Sequence, residues 1–163
     1  MFGKEDDVME NEKIYLVRKR PADYYVNYKN GIKNIPYKWN GFVEGRKPHV
    51  QAVPREVFDE LNMSGNCIRN GELVVADEQP NKEAVMDEIL DVQEVLDNSH
   101  SHDEIVAILS GNINKMKTAL NKVTVNSEKS FIKGVAEDIK DELSGAKTSW
   151  IEQWYKYELD EEK

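Results

Sequence analysis

Between Lys13 and Leu61 the chain alternates short runs of β-branched and aromatic residues with Asn-Gly pairs, and this pattern constrains the fold more than any other feature. Asn and Gly both tolerate the positive φ of a tight hairpin, so each pair flanked by such runs predicts antiparallel strands joined by a turn. Ile14, Leu16 and Arg18 alternate with Tyr15, Val17 and Lys19, the period of two of a sheet with one covered face. A second strand is expected over Asp23 to Tyr28, with Asn30-Gly31 as the turn into a third over Ile32 to Ile35. Pro36 has no N–H for a ladder bond and is expected to end that strand or to sit on an edge. Asn40-Gly41 offers another turn before Phe42 to Glu44, and His49 to Val53 reads as a further strand. Pro54 suits the first turn of a helix whose Val57, Phe58 and Leu61 share one face. A last hairpin is expected where Asn70-Gly71 separates Cys67 to Arg69 from Glu72 to Ala76.

Beyond Asp77 the period changes to that of helices. Glu78 to Asn81 is a polar, proline-containing joint, and Val85, Ile89, Val92 and Leu96 predict one connecting helix over Lys82 to Asp97. Ser101 followed by Glu104 is a capping box that starts a short helix through Ile105, Ile108 and Leu109, stopped at Ser110-Gly111. Ile113, Met116 and Leu120 mark another helix. Phe131, Ile132, Val135, Ala136, Ile139 and Leu143 mark a longer one, and Trp150, Ile151, Trp154 and Tyr157 a last one after Ser144-Gly145. The expected fold class is α+β: a small antiparallel β-rich N-terminal module followed by a small helical C-terminal module. The expected division is a flexible acidic tail over residues 1–12, a β-rich module with one short helix over 13–77, a joint and connecting helix over 78–101, a helical module over 102–159, and a frayed acidic end over 160–163.

A chain of 163 residues with 39% hydrophobic content makes one ordinary domain or two small ones. No run approaches the roughly 18 apolar residues of a membrane span. The start, MFGKEDDVMENEK, lacks the apolar core of a signal peptide, so residence in the host cytoplasm or a virion is expected and membrane partners are not. The single cysteine, Cys67, rules out an internal disulfide and is expected to be a small buried residue in a strand.

The net charge of −9 is unevenly distributed. Lys13 to Arg55 holds ten basic residues against two acids, whereas Asn81 to Lys163 holds ten Lys against eighteen acids. Opposite character in the two halves predicts contact between them or different partners. In the basic stretch, Lys19, Arg20, Arg46 and Lys47 are candidate interaction residues, with Trp39, Phe42, Trp150 and Trp154 as aromatic anchors of core or contact surfaces. Lys and Arg neutralise phosphates, and Tyr24, Tyr25, Tyr28, Tyr37, Trp39 or Phe42 offer stacking faces, the combination used by single-strand binders. The same residues equally suit a core of alternate aromatics with a solvated basic face, or a face that receives an acidic protein surface.

Catalytic and metal chemistry is not expected. His100 and His102 flank Ser101 at a helix start and read as loop and cap residues, and Glu137, Asp138, Asp141 and Glu142 read as a solvated helical face. No GxxxxGK[ST], GxGxxG, HExxH or GxSxG occurs, so an enzyme is not expected, nor is a cofactor.

Two resemblances bear on function. Leu143 to Ile151, LSGAKTSWI, resembles the second half of the SAP and helix-extended-loop-helix family, in which a Gly and a Lys open a helix; the resemblance implies nucleic-acid contact at Lys147, although the surrounding helices are acidic. The layout of a small β module with Val53-Pro54-Arg55-Glu56-Val57-Phe58, an acidic joint and a helical tail is similar to accessory virion proteins of tailed bacteriophages. That similarity implies a non-enzymatic structural role in the head, neck or tail, with docking through the β module on capsid, neck or tail proteins and oligomerisation in the assembly. The alternative is a nucleic-acid-binding regulator using the basic aromatic face of residues 13–55.

Overall fold

A computed structural model of the chain describes residues 12–161, with side chains described as far as residue 156. The expected acidic tail before Glu12 and the final two residues lie outside the described residues. The fold is α+β, with antiparallel strands in the N-terminal part and helices in the C-terminal part. Two compact units meet in sequence at Val95 and Leu96.

The first unit is built on β1 (Lys13–Arg18), which lies at the centre of a three-stranded antiparallel sheet between β4 (His49–Pro54) and β5 (Val74–Val75). Helix α1 (Arg55–Met63) follows β4 directly, and its Val57 and Phe58 pack with Ile14, Leu16, Val53, Ile68, Leu73 and Val75 in one core. A separate two-stranded ribbon, β2 (Tyr24–Asn30) and β3 (Lys33–Trp39), leaves the sheet after β1 and returns before β4. The free edge of β1 beyond β5 is completed by a side chain: Gln79 Oε1 accepts from Tyr15 N at 2.6 Å and its Nε2 donates to Lys13 O at 3.3 Å. A buried amide side chain here takes the ladder partners that a longer β5 would supply.

Four local expectations are corrected. The third strand does not end at Ile35 but runs to Trp39 with Pro36 inside it; Pro36 does sit on an edge strand, since both strands of the ribbon are edges, and it faces Asn27 three pairs from the closing Asn30–Lys33 pair. Alternation along an antiparallel pair then turns the Pro36 nitrogen away from β2, where no ladder bond is lost. Phe42 to Glu44 form no strand; Asn40-Gly41 instead carries the chain under Pro21 and Ala22, and Phe42 N donates to Arg20 O at 2.9 Å. Cys67 to Arg69 form successive turns, with Glu72 N donating to Cys67 O at 2.9 Å. Cys67 and Ile68 are adjacent and both lie in the same core cluster, whereas the alternating faces of a strand would send one of them to the opposite side. The connecting helix is broken into α2 (Lys82–Asp87) and α3 (Val92–Asp97), with Asp91 in the left-handed region at φ 54°. The break rotates the second piece, so that Val95 joins Val85 and Ile89 in the core while Leu96 is left exposed.

In the second unit α4 (His102–Ser110), α5 (Ile113–Asn121), α6 (Asn126–Asp138) and α7 (Gly145–Glu161) enclose Ile105, Leu109, Met116, Leu120, Phe131, Ile132, Ile151 and Trp154. The expected capping box at Ser101 and Glu104 is present, with both reciprocal hydrogen bonds. Helix α7 runs to Glu161. The loop before α4 is held by polar side chains. Asn98, 1% exposed, accepts from Thr124 N at 2.7 Å and Val125 N at 2.9 Å, and its Nδ2 donates to Thr124 Oγ1 at 3.2 Å. Glu128 is fully buried, accepts from His100 N at 2.9 Å and contacts His100 Nδ1 at 2.7 Å. Truncating Asn98 strands two backbone donors near the α6 N-terminus. Asn98→Ala is expected to lower the stability of the second unit by about 1–3 kcal/mol in chemical denaturation, with Asn98→Asp, which keeps the acceptor, costing less.

Candidate interaction surface

The ribbon β2–β3 turns most of its aromatic residues to one face and Lys29, Lys38 and Tyr25 to the other. Its register pairs Tyr24 with Trp39, Val26 with Tyr37 and Tyr28 with Ile35 on one face, and Tyr25 with Lys38, Asn27 with Pro36 and Lys29 with Asn34 on the other. Tyr24, Val26, Tyr28 and Tyr37 pack against the core, and Trp39 is 0% exposed. An isolated two-stranded hairpin is marginal in water. Burial of this inner row, at roughly 1.5–3 kcal/mol per large apolar side chain, therefore outweighs the ladder in holding the ribbon.

Three contacts lock the base of the ribbon. The Trp39 indole Nε1 donates to Leu16 O on the central strand at 3.0 Å. Arg18, buried beneath the ring of Tyr24, donates to Ala22 O at 3.1 Å, Pro21 O at 3.1 Å and Glu72 O at 3.0 Å. Arg20 is ion-paired to Glu72 and donates to Asn70 O at 2.6 Å. Burial lowers the Arg18 guanidinium from its usual range, while Glu72 opposes that shift. Gly41 is required because a Cβ there would lie 2.5 Å from Ala22 N, and Ala22 itself adopts a positive φ of 75°. The Gly41 amide donates to Asp23 Oδ1 at 2.8 Å.

The outer face and tip are solvated. Lys29, Lys33 and Lys38 are exposed, as is Tyr25, whose ring centroid lies 5.9 Å from Lys38 Nζ. The tip is a two-residue turn in which Gly31 takes φ 64° and Ile32 stands fully exposed. Lys38 faces Asp23 at 3.5 Å across an exposed pair of little energetic weight.

The residues singled out from sequence are thus distributed as follows. Arg20 is interior and Trp39 is core; Lys19 and Phe42 are half-buried at the ribbon base, and Arg46 and Lys47 lie exposed in the loop between β3 and β4. Trp150 and Trp154 belong to the second unit, stacked with centroids 6.3 Å apart, and Trp154 Nε1 donates to Leu120 O at 3.1 Å. Lys147 donates to Leu109 O at 2.8 Å and Gly111 O at 2.6 Å, capping the C-terminus of α4. Lys29, Lys33 and Lys38 were legible only as part of the basic stretch; the strand register sets Lys29 and Lys38 on the outer face, and Lys33 is exposed by its place at the tip. Cys67 is buried, and that burial pushes its thiol up to about 12, so it has no thiolate character near neutrality. Among the described residues no cluster of three or more His, Cys, Asp or Glu is arranged to hold a metal ion, and no helix is long and apolar enough to cross a membrane.

Residues 12–91 match the YonA N-terminal domain, and residues 101–162 match the YonA C-terminal domain. The chain belongs to the YonA family. Both are phage-type families, YonA being a protein of the SPbeta prophage region. The boundary between the two matches falls in the same segment as the boundary between the two structural units. No curated protein and no solved structure matches the chain.

The Asp23 to Gly41 hydrogen bond gives the ribbon base a pH signature. The Gly41 N–H holds the Asp23 carboxyl below its ordinary 3.8, with the Lys38 ammonium adding to the same effect. A carboxyl depressed on folding contributes fully above the unfolded value and loses that contribution as pH falls through the folded one. The Gly41 amide resonance is expected to titrate with a midpoint below 3.8, and a midpoint at or above that value would contradict the contact.

Proposed function

We propose that this is a non-enzymatic, phage-associated docking protein that engages an acidic protein surface of a larger assembly through the outer face and tip of its β2–β3 ribbon. The observation that carries this reading is the segregation within the ribbon: Lys29, Lys33 and Lys38 are solvated while the aromatic row faces the core. Lysine ammonium groups held on a rigid ladder steer and register an acidic partner more than they add raw affinity. Membership of a phage-type family supports an assembly belonging to a phage particle, whether capsid, neck or tail, in which the protein would be present in several copies.

A nucleic-acid interface over residues 13–55 is the second reading, favoured by the exposed Tyr25 and Lys38 pair, which combines a stacking face with a phosphate partner. It is weakened because Tyr24, Tyr28, Tyr37 and Trp39 face the core, and because Arg18, Arg20 and Arg55 are engaged by Glu72, Glu12, Asp59 and Glu88. Lys147, the one residue that the SAP-like resemblance assigns to nucleic acid, is occupied with the carbonyls of α4.

The test is density-gradient fractionation of lysates from phage-producing cells, comparing the tagged wild-type chain with K29E/K33E/K38E. The wild type is expected in the particle or particle-precursor fractions, resistant to nuclease, and the triple variant in the soluble fraction. Salt-dependent micromolar or tighter binding of the purified chain to DNA, abolished by the same substitutions, would transfer the ribbon to the second reading. Equal partitioning of both proteins into particles would remove the ribbon from the docking role.

A further inference from the structure

The large apolar side chains left exposed in the first unit fall into two sets of opposite electrostatic character. Tyr25 and Ile32 stand on the ribbon and Val43 in the loop that follows it, within a segment from Asp23 to Pro48 that has five basic and two acidic residues. Met63 and Leu90, 74% and 56% exposed, stand on helical and turn structure between Arg55 and Val95, where eleven acidic residues face three basic ones. Asn62 joins the two members of the second set: its Nδ2 donates to Glu88 O at 2.8 Å and its Oδ1 accepts from Leu90 N at 3.3 Å. The link between α2 and α3 is thereby held against the end of α1, and Met63 and Leu90 form one shoulder with Glu60, Asp87 and the Arg69-paired Asp91 around it.

The backbone at this shoulder is strained in the direction that exposes it. An unbroken helix from Lys82 to Asp97 would require no positive φ, yet Asp91 adopts φ 54° next to an outward-facing leucine. Non-glycine residues in the left-handed region cost on the order of 1 kcal/mol and are retained where a site needs them. At the ribbon tip Gly31 alone takes the positive φ, and the second turn position holds an isoleucine that is fully exposed. Ile32 lies within a few residues of the exposed Lys29 and Lys33, and Met63 and Leu90 lie within three residues of the exposed Glu60 and Asp87.

We infer that copies of this chain associate head to tail, the Ile32 tip and flanking lysines of one ribbon seating on the acidic Met63 and Leu90 shoulder of a second copy. The inference rests on the reading of the ribbon as a docking arm and names the acidic surface it meets. Because the two patches differ, the interface is heterologous, and its repetition gives an open chain or a ring according to the rotation per copy. Apolar contact supplies the centre of such an interface and the charges its rim and register.

A heterologous interface has a diagnostic mixing behaviour. Ile32→Asp removes the arm and keeps the shoulder; Leu90→Lys removes the shoulder and keeps the arm. In sedimentation equilibrium the wild-type chain is expected to grow in mean mass with concentration, and less so as salt screens charges beyond the ~10 Å Debye length of 0.1 M. Each variant alone is expected to remain monomeric with an unchanged circular dichroism spectrum, and an equimolar mixture to form a one-to-one dimer and nothing larger. A monomeric wild type, a mixture that stays monomeric, or variants that associate like the wild type would each overturn the inference. A monomeric wild type that still enters particles in a lysine-dependent way would remove only the self-docking step. Self-association without particle entry would remove only the particle reading.

Discussion

The Trp39 indole donating to the Leu16 carbonyl connects the two parts of the first unit on which everything else depends. Leu16 lies on the central strand, between partners on both sides, and Trp39 is the last residue of a ribbon that shares no ladder with that sheet. A two-stranded ribbon cannot stabilise itself. Its position is set by a fully buried indole with its one polar atom satisfied, supported by the arginines that collect the carbonyls of Pro21, Ala22, Asn70 and Glu72. Once those groups fix the base, the strand register alone decides which side chains face the core and which face solvent.

That dependence explains how much of the molecule was legible in its sequence. The α+β class, a hairpin turn at Gly31 (its two residues being Gly31 and Ile32, one place later than Asn30-Gly31), the helix entered from Pro54 and the Ser101 capping box follow from short-range chemistry, where a residue's own φ preference or hydrogen-bonding reach determines the outcome. The departures occur where the outcome depends on residues distant in sequence. Asn70-Gly71 has the composition of a hairpin turn, but Cys67 and Ile68 both belong to the core, and two adjacent inward side chains require a turn rather than a strand. The Val85, Ile89, Val92 and Leu96 stripe is a sound helical pattern, and the core took Val95 in place of Leu96 by breaking the helix at Asp91. Gln79 as a surrogate strand and Asn98 as a clamp leave no periodic trace at all.

The candidate surface was legible as a region and not as residues. The aromatic count between Lys13 and Arg55 suggested stacking surfaces, but period-two alternation along β2 and β3 places four of those rings on the core side and leaves Tyr25 outside. The two tryptophans near the C-terminus are explained by their own unit, where Trp154 satisfies its N–H on Leu120 and stacks against Trp150, which has Lys117 6.0 Å from its ring. A resemblance based on a short Gly and Lys phrase located the start of a helix at Gly145 correctly, while the structure commits the lysine to a neighbouring helix terminus.

A division between arginine and lysine underlies the electrostatics of the first unit. Arg18, Arg20, Arg55 and Arg69 all lie against carboxylates, and Arg18 and Arg20 also gather backbone carbonyls with their planar forks. The compact, strongly hydrated ammonium groups of Lys29, Lys33 and Lys38 remain on the ribbon surface. This matches the chemistry of the two side chains, since guanidinium tolerates burial in a hydrogen-bonded pair and ammonium favours water. A net charge taken over Lys13 to Arg55 therefore overstates what a partner meets, because Arg18 and Arg20 are buried and share Glu72 and Arg55 is paired with Glu12, Asp59 and Glu88. The field that remains is narrower: Lys29 and Lys38 on the outer face of the ribbon, Lys33 beside an exposed isoleucine at its tip, and Arg46 and Lys47 in the loop that follows.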